Sequence, residues 1–378
     1  MSPSTGLRKG VVVNIESTLR SVKAAIEDAE MMSGREVSSC WTGIGGSHIE
    51  GINSRGVVAV TEKNREISPD DKERVIEVAQ KVSIPMDRQV LEVIPQSYIV
   101  DNQKGIRNPL NMIGVRLEAE VFIITCSVTS GQNLLNCVNR AGYRVNNLIP
   151  KSLAAGRSVL TDEEKDLGVA LIDLGGGTTE VMAYSAGSPY SIITIPVGGA
   201  QVTSDISIIK SIALDTAERI KIESGCCWEG LLEEDEEIIV PGVGGRSPLP
   251  IPRSQLLAII RPRMEEIFKM VKEKLDKLSQ TRPLGGGIVL TGGGALLSGA
   301  AELASHVFKL PVRIGNPLSV GGLAEECRTP VYATAVGLVL MGKDKEDNNL
   351  KQDGEKGLRE KNPSPFGRLK GWISKEFF

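Results

Sequence analysis

The sequence predicts an α/β protein of two or three compact units, one of them a small α+β insertion. Three observations lead there. Two apolar strands, at 169–173 and 288–291, each run into three consecutive glycines. Residues 37 to about 127 read as alternating strands around one helix. The chain has 378 residues, more than the ~250 at which a single core usually stops growing.

In chain order, Ile15, Leu19, Val22, Ile26 and Ala29 recur at three- and four-residue spacing, the mark of a helix over 15–31 with one buried face, and Ser33-Gly34 ends it. In the insertion, residues 57–60 alternate. A helix then starts at Ser68-Pro69-Asp70-Asp71, a cap followed by Pro in the first turn, and turns Val75, Ile76, Ala79 and Val82 inward. A long apolar strand covers 115–125, and nothing in this unit suggests covalent chemistry. A helix is expected over 130–141. The strand 169–173 then bends through Gly175-Gly176-Gly177 into a second strand over 178–184. Next come a helical stretch over 203–224, an acidic loop at 233–237 and a long helix over 254–278. The strand 288–291 meets Gly292-Gly293-Gly294 and a helix with Leu297, Ala301, Ala304 and Phe308 inward. Residues 343–364 carry only Leu350 and Leu358 as large apolar groups. That is too little to offset ordering entropy, so a flexible linker is expected.

Composition excludes several classes of function. Forty-four basic against forty-seven acidic side chains give a net charge of -3, with no chain-wide basic field to hold nucleic acid. Cys40, Cys126, Cys137, Cys226, Cys227 and Cys327 include no C-x-x-C pair, and His48 and His306 are the only histidines. A zinc cage is therefore not expected, and reduced thiols in a cytoplasmic protein fit better. No stretch reaches the ~20 apolar residues that cross a bilayer, and the first residues lack the parts of a signal peptide.

Glycine is required where backbone amides must approach phosphate oxygens closely, because a Cβ blocks both the approach and a positive φ. The run Asp173-Leu174-Gly175-Gly176-Gly177-Thr178 has that form. An aspartate at the strand end suits a phosphate-bound Mg²⁺, directly or through water, and Thr178 adds a hydroxyl. No G-K-[ST] follows, so this is not a P-loop, and no helix follows directly, so it is not a dinucleotide fingerprint. Alone, such a turn serves equally as a simple hairpin. Its pairing with Thr291-Gly292-Gly293-Gly294, over a hundred residues later, favours a ligand cleft. Glu218 and Lys221 lie between the two turns, three residues apart on one helix face, where an ordinary surface ion pair is the alternative.

The C-terminal segment 366–378 holds four of the fourteen aromatic residues. At 100° per residue Phe366, Leu369, Trp372, Ile373 and Phe377 gather on one side, with Arg368 and Lys375 opposite and Lys370 near the border. That pattern fits a helix lying in lipid headgroups, folding on contact because Gly367 and Gly371 lower its propensity; docking into the protein's own core is the alternative.

The glycine turns together with Ala217-Glu218-Arg219-Ile220-Lys221 resemble the nucleotide cleft of the actin, heat-shock chaperone and sugar-kinase superfamily. Narrower resemblance lies in the run from Val93-Ile94-Pro95-Gln96-Ser97-Tyr98 to Gly114-Val115-Arg116-Leu117-Glu118, and in Ile195-Pro196-Val197-Gly198-Gly199, Thr203-Ser204-Asp205-Ile206, Pro241-Gly242-Val243-Gly244-Gly245-Arg246 and Val312-Arg313-Ile314-Gly315. These runs are similar to those of the FtsA family of bacterial cell-division proteins, and the resemblance covers nearly the whole chain. It implies an actin-like (ribonuclease-H-like) two-lobed α/β fold with a small α+β insertion subdomain, a C-terminal linker and an amphipathic helix. The implied first lobe comprises 1–36, 128–167 and a closing helix at 331–342, with the insertion at 37–127. The second lobe comprises 168–203 and 285–330 and carries a subdomain at 204–284. The linker is 343–364 and the membrane helix 365–378.

The resemblance also implies ATP with Mg²⁺ as cofactors. Asp173, Gly175, Gly176, Gly177 and Thr178 would hold phosphates and metal, Glu218 and Lys221 the ribose or base, and Gly292, Gly293 and Gly294 the adenosine. It implies self-assembly into filaments, recruitment of other division proteins, and attachment of FtsZ filaments to the cytoplasmic membrane at the division septum. Arg246 and Arg263 would grip the acidic C-terminal peptide of FtsZ through paired hydrogen bonds, though each also reads as a solvated charge. Two departures from the family pattern stand out. Its N-terminal strand and Asp-x-Gly-[ST] turn have no counterpart here, the expectation for a misassigned or truncated start. The helix start Ile149-Pro150-Lys151-Ser152 lacks the Gln or Glu that orients attacking water, so hydrolysis should be slow or negligible. The alternatives are a small-molecule kinase, for which no carboxylate base is evident between the two halves, and a pilus-assembly scaffold of the PilM type.

Overall fold

The computed structural model describes residues 2–62, 64–232, 236–240, 248–279, 282–318, 321–322 and 324–361. The chain divides into a body, Met1–Leu338, and a C-terminal unit, Val339–Phe378.

The body opens with a short antiparallel hairpin, β1 (Leu7–Arg8) and β2 (Val11–Val12), followed by α1 (Ile15–Ser33). Asn14 caps α1 by accepting from the Ser17 N–H at 2.9 Å, and Gly34 ends it in the left-handed region at φ 67°. Strand β3 (Ser39–Ile44) runs on to the insertion, which contains β4 (Glu50–Ala59), α2 (Pro69–Gln80), β5 (Arg88–Val100), β6 (Gln103–Ile106) and β7 (Arg116–Ser127). Its strands form an antiparallel sheet in the order β4-β7-β5-β6. Helix α2 starts at the expected cap: Ser68 and Asp71 exchange hydrogen bonds, with Pro69 in the first turn. The alternation along β7 serves two cores at once. Leu117, Ala119, Val121 and Ile123 pack with Val75 and Ala79 of α2, while Phe122, Ile124 and Cys126 belong to the cluster of the neighbouring lobe. That double use explains why the strand reads as a continuous apolar run.

After α3 (Val128–Arg140), which packs on α1, strand β8 (Arg144–Pro150) lies parallel to β3. The insertion therefore begins after Ile44 and not at residue 37: β3 pairs with a strand more than ninety residues away, and local alternation cannot distinguish that partner from β4. Helices α4 (Lys151–Val159) and α5 (Asp162–Leu167) lead into the second sheet.

That sheet is ordered β11-β10-β9-β14-β15, from β9 (Val169–Leu174), β10 (Thr179–Ser185), β11 (Ser188–Ile195), β14 (Ile288–Thr291) and β15 (Val312–Ile314). Between β11 and β14 come α6 (Gly199–Lys210), α7 (Leu214–Ser224), the hairpin β12 (Glu237–Val240) with β13 (Leu249–Pro252), and α8 (Arg253–Ser279). Helix α9 (Ala300–Phe308) joins β14 to β15. Ile206, Ala217, Leu256, Ile260 and Phe268 from α6, α7 and α8 share one buried cluster with Ile172, Leu290 and Leu303. Arg313 of β15 ties this sheet to α5: it donates to both Glu164 carboxylate oxygens, at 2.6 and 2.7 Å, and to the Val159 carbonyl at 3.0 Å.

Helix α10 (Ala333–Lys361) continues through most of the stretch expected to be a flexible linker. Lys, Glu, Gln, Leu and Arg there favour a helix even though almost nothing apolar is available to bury. The terminal segment 362–378, and with it the amphipathic pattern of Phe366, Leu369, Trp372, Ile373 and Phe377, lies outside the described residues. Among the described residues no helix is long and apolar enough to cross a membrane.

Candidate functional site

Strands β9 and β14 are parallel neighbours in a register that sets Thr291 opposite Asp173. Both strands end at the same level, so the glycine turns that follow them lie side by side. Thr291 is buried and donates from its hydroxyl to the Gly315 carbonyl at 3.0 Å, which fixes the end of β14.

The first turn is closed by the Gly175 N–H donating to the Thr178 carbonyl at 3.0 Å. Its outer carbonyls are held by the start of α6: the Gly199 and Ala200 N–H groups donate to the carbonyls of Gly175 and Gly176 at 2.9 and 2.8 Å. A Cβ at Gly198 would sit 2.4 Å from the Gly175 oxygen, so this close approach needs glycine at 198. In the second turn Gly292 has φ 80°, and a Cβ there would stand 2.2 Å from Asp173 Oδ1. Gly176 and Gly293 differ from these, for nothing lies within 4 Å of where their Cβ would be. Packing within the protein does not require glycine at either position, and both border open space.

Gly175, Gly176, Gly293 and Gly294 line a cavity of about 360 Å³, within the usual range for small-molecule sites. Its apolar walls come from Val202, Ile222, Met264, Leu296 and Leu297, and its polar end from Glu218 and Lys221. Lys221 Nζ donates to Glu218 Oε2 at 2.7 Å, to Thr203 Oγ1 at 3.0 Å and to the Gly199 carbonyl at 3.3 Å. The Thr203 hydroxyl also donates to Glu218. Partial burial alone would raise the Glu218 pKa, but the hydrogen bonds from Lys221 and Thr203 outweigh it and hold the carboxyl below its ordinary value. Glu218 remains an ionised acceptor, nearly half exposed at the cavity, and suits a diol or a similar donor.

Asp173 is set behind the first turn. Thr334 Oγ1 donates to its Oδ2 at 3.3 Å. Enclosure by protein and the nearby Glu180 push its pKa up to about 6, against the opposing pull of Lys151 and Thr334. Lys151 Nζ lies 3.3 Å from Glu180 Oε1, and the Thr178 hydroxyl donates to that same oxygen at 3.4 Å. Burial would lower the Lys151 pKa, yet Glu180 and Asp173 together raise it. Asp173 shares its site with a lysine ammonium, and because its carboxyl holds a proton more tightly than usual it would serve a phosphate-bound Mg²⁺ only once ionised, above about pH 6. Among the described residues no group of three or more His, Cys, Asp or Glu is placed to hold a metal by itself, so phosphate oxygens and water would have to complete the shell of such an ion.

The structure therefore gathers Gly175, Gly176, Gly293, Gly294, Glu218 and Lys221 around one cavity, with Asp173, Gly177, Thr178 and Gly292 immediately behind it. Sequence reasoning missed Thr203, Gly199, Glu180 and Thr334. Thr203 and Gly199 fall within runs that carry the family resemblance, and Glu180 follows Thr178 by two residues, but their contacts arise only from the packing of α6, α7 and β10. Arg263 is already committed: it donates to both carboxylate oxygens of Asp205, at 2.7 and 3.1 Å, and pairs with Glu266. Arg246 lies outside the described residues.

Two family models match this chain, "Cell division protein FtsA" over residues 170–337 and "SHS2 domain inserted in FTSA" over 46–125. The chain is 46% identical over 379 residues to the cell division protein FtsA of Borreliella burgdorferi, covering 100% of this chain and 91% of that protein. Among solved structures, a PilM-PilN type IV pilus biogenesis complex aligns with TM-score 0.61 at 18% identity, over 90% of this chain and 89% of that one. MreB5 of Spiroplasma citri bound to ADP aligns with TM-score 0.56 at 17% identity, over 91% and 80%. At these identities the two structures speak to the fold alone, which is actin-like.

Proposed function

The chain belongs to the FtsA family of cell-division proteins, and from that premise we propose that it is an ATP-binding filament subunit that tethers FtsZ polymers to the cytoplasmic face of the membrane at the division septum. The observation that carries the nucleotide part is the pair of open glycines, Gly176 and Gly293, facing one cavity with the Glu218 carboxylate at its polar end. In this reading the turn 175–178 receives phosphates on its amides and the Thr178 hydroxyl. Glu218, held by Lys221 and Thr203, accepts from the ribose, and Ile222, Leu296 and Met264 enclose the base. Mg²⁺, when bound beside Asp173, would neutralise phosphate charge. Lys151 occupies the helix start where related hydrolases carry a water-orienting Gln or Glu, and an ammonium accepts no proton from water. Turnover is therefore expected far below the 1 to 10 per second of an ordinary enzyme.

Attachment follows from the C-terminal segment. Each large apolar side chain among Phe366, Leu369, Trp372, Ile373 and Phe377 contributes roughly 1.5 to 3 kcal/mol on burial in lipid. Ordering the helix and immobilising the molecule offset most of that, so one tail binds marginally. In a filament, after one tail docks its neighbours bind at high effective concentration, which couples assembly to membrane residence. Arg263, with Arg246, is proposed to receive the acidic FtsZ peptide, and Arg263 would exchange Asp205 for a peptide carboxylate. The deciding experiment is titration of an FtsZ C-terminal peptide into the purified full chain with and without ATP. Saturable binding supports the tether, and absence of binding in both conditions refutes it.

A further inference from the structure

Behind the first glycine turn Lys151 and Glu180 form a charged pair that has been given no part in holding a ligand. Lys151 is the first residue of α4, and its stem passes over two glycines of the first lobe. A Cβ at Gly43 would lie 3.1 Å from Lys151 Cγ, and one at Gly45 would lie 2.2 Å from Cε and 2.1 Å from Glu180 Oε1. Any side chain at 45 would expel the lysine from its place. The ammonium and the Thr178 hydroxyl both contact Glu180 Oε1, at 3.3 and 3.4 Å, so two donors share one acceptor oxygen. Glu180 is walled off at 3% exposure, while the lysine side chain keeps 34% of its surface accessible. The acid is an anchor and the ammonium is the end that can move.

Place along the turn matters as much as charge. The cavity borders Gly175 and Gly176, whereas Thr178 and Lys151 stand at the other end of the same turn. Gly177, between them, is bordered by the N-terminal hairpin, with Lys9 N 3.5 Å from its Cβ position. A ligand seated in the cavity with phosphates running over the turn extends toward Lys151 as the phosphate chain lengthens. We infer that, given nucleotide binding in this cavity, Lys151 distinguishes a nucleoside triphosphate from a diphosphate: its ammonium leaves Glu180 for a terminal phosphate oxygen while the Thr178 hydroxyl stays on the turn. A lysine suits the task because four flexible methylenes carry a point charge between two acceptors close together. The terminal phosphate adds negative charge beside Asp173 and Glu180, and Lys151 is the cation already positioned there to offset it.

The test is a pair of fluorescence titrations of the purified full chain, with ATP and with ADP, in excess EDTA so that metal contributes nothing, and repeated in Mg²⁺. In EDTA the unmodified chain should bind ATP more tightly than ADP by on the order of tenfold, the worth of one charge-assisted hydrogen bond. Lys151→Gln should bring the ratio to about one, with ADP affinity unchanged, while Lys151→Arg retains most of the preference. Lys151→Gln strands the buried Glu180 carboxylate, so the double variant Lys151→Gln/Glu180→Gln, which removes that stranded charge, decides the matter if the single one does not fold. A lysine that only neutralised Glu180 would shift melting temperature and move both affinities together. An ATP:ADP ratio in EDTA near one for the unmodified chain, or an undiminished ratio in a folded Gln variant, overturns the assignment. Failure of the unmodified chain to bind either nucleotide, in EDTA or in Mg²⁺, overturns instead the cavity reading on which it rests.

Discussion

Glycines within one turn should respond oppositely to the same added methyl group. Gly292→Ala places a Cβ 2.2 Å from Asp173 Oδ1 and 2.8 Å from the Leu174 carbonyl oxygen, at φ 80° and ψ 169°. That backbone region is essentially confined to glycine and costs about 1 to 3 kcal/mol for other residues. Overpacking against two immobile oxygens adds about 1 to 3 kcal/mol. The variant should therefore lose roughly 2 to 6 kcal/mol of stability. Gly293→Ala meets nothing within 4 Å and needs no positive φ, so its stability should stay within about 1 kcal/mol of the unmodified chain. Its methyl group points into the space assigned to the ligand, and nucleotide affinity should fall about tenfold or more, the equivalent of ~1.4 kcal/mol. Urea denaturation followed by far-UV circular dichroism reads the first quantity, and titration with a fluorescent ATP analogue reads the second. A Gly293→Ala chain that binds nucleotide as tightly as the unmodified one would remove the reason for placing a ligand there. A Gly292→Ala chain as stable as the parent would refute the packing argument.

Asp173 should mark the pH dependence of stability. Its folded pKa of about 6 lies above the ordinary 3.8, so the folded state holds this proton more tightly than the unfolded chain does. Its contribution is full below pH 3.8 and is lost as pH rises through about 6. The stability of the unmodified chain minus that of Asp173→Asn should thus decline between about pH 4 and 6.5 by at most about 3 kcal/mol, a ceiling because the carboxyl keeps some accessible surface. A flat difference curve contradicts it. Glu164→Gln should destabilise by about 1 to 2 kcal/mol, measured by urea midpoint, because the paired hydrogen bonds from Arg313 lose their charge; no change would mean that this link between α5 and β15 is dispensable. Asp205→Asn should tighten the FtsZ peptide severalfold in a binding titration by releasing Arg263 from its intramolecular partner, and weaker binding would exclude Arg263 from the peptide site. Trp372→Glu should release the full chain from anionic liposomes in co-sedimentation, and unchanged sedimentation would exclude the tail as anchor.

Much of this molecule is legible as local pattern. The spacing of Ile15, Leu19, Val22 and Ile26 marks α1, Ser68-Pro69-Asp70-Asp71 marks the start of α2, and the two triple-glycine runs mark the ends of β9 and β14, because periodicity, capping and backbone freedom act over a few residues. The segment 343–361 misleads for the complementary reason: without a buried face it reads as linker, while its intrinsic propensities favour the helix α10 adopts.

Long-range pairing is decided elsewhere. Nothing local sets Thr291 beside Asp173, and that register is what turns two glycine runs into one cleft. Nor does any local pattern assign β3 to β8 and not to the insertion. Within each turn, three adjacent glycines look alike in sequence; only the packed neighbours separate Gly292, which fills a tight space, from Gly293, which borders an open one. The same holds for Lys151. As a letter it is a missing Gln or Glu at a helix start, and only its 3.3 Å approach to Glu180 behind the turn makes it a charge poised toward phosphate. Local pattern specifies most of the elements and the kinds of residue at their ends. Which ends face one another, and across how many ångströms, depends on sheet order and side-chain packing between segments more than a hundred residues apart, and that the tertiary structure alone decided.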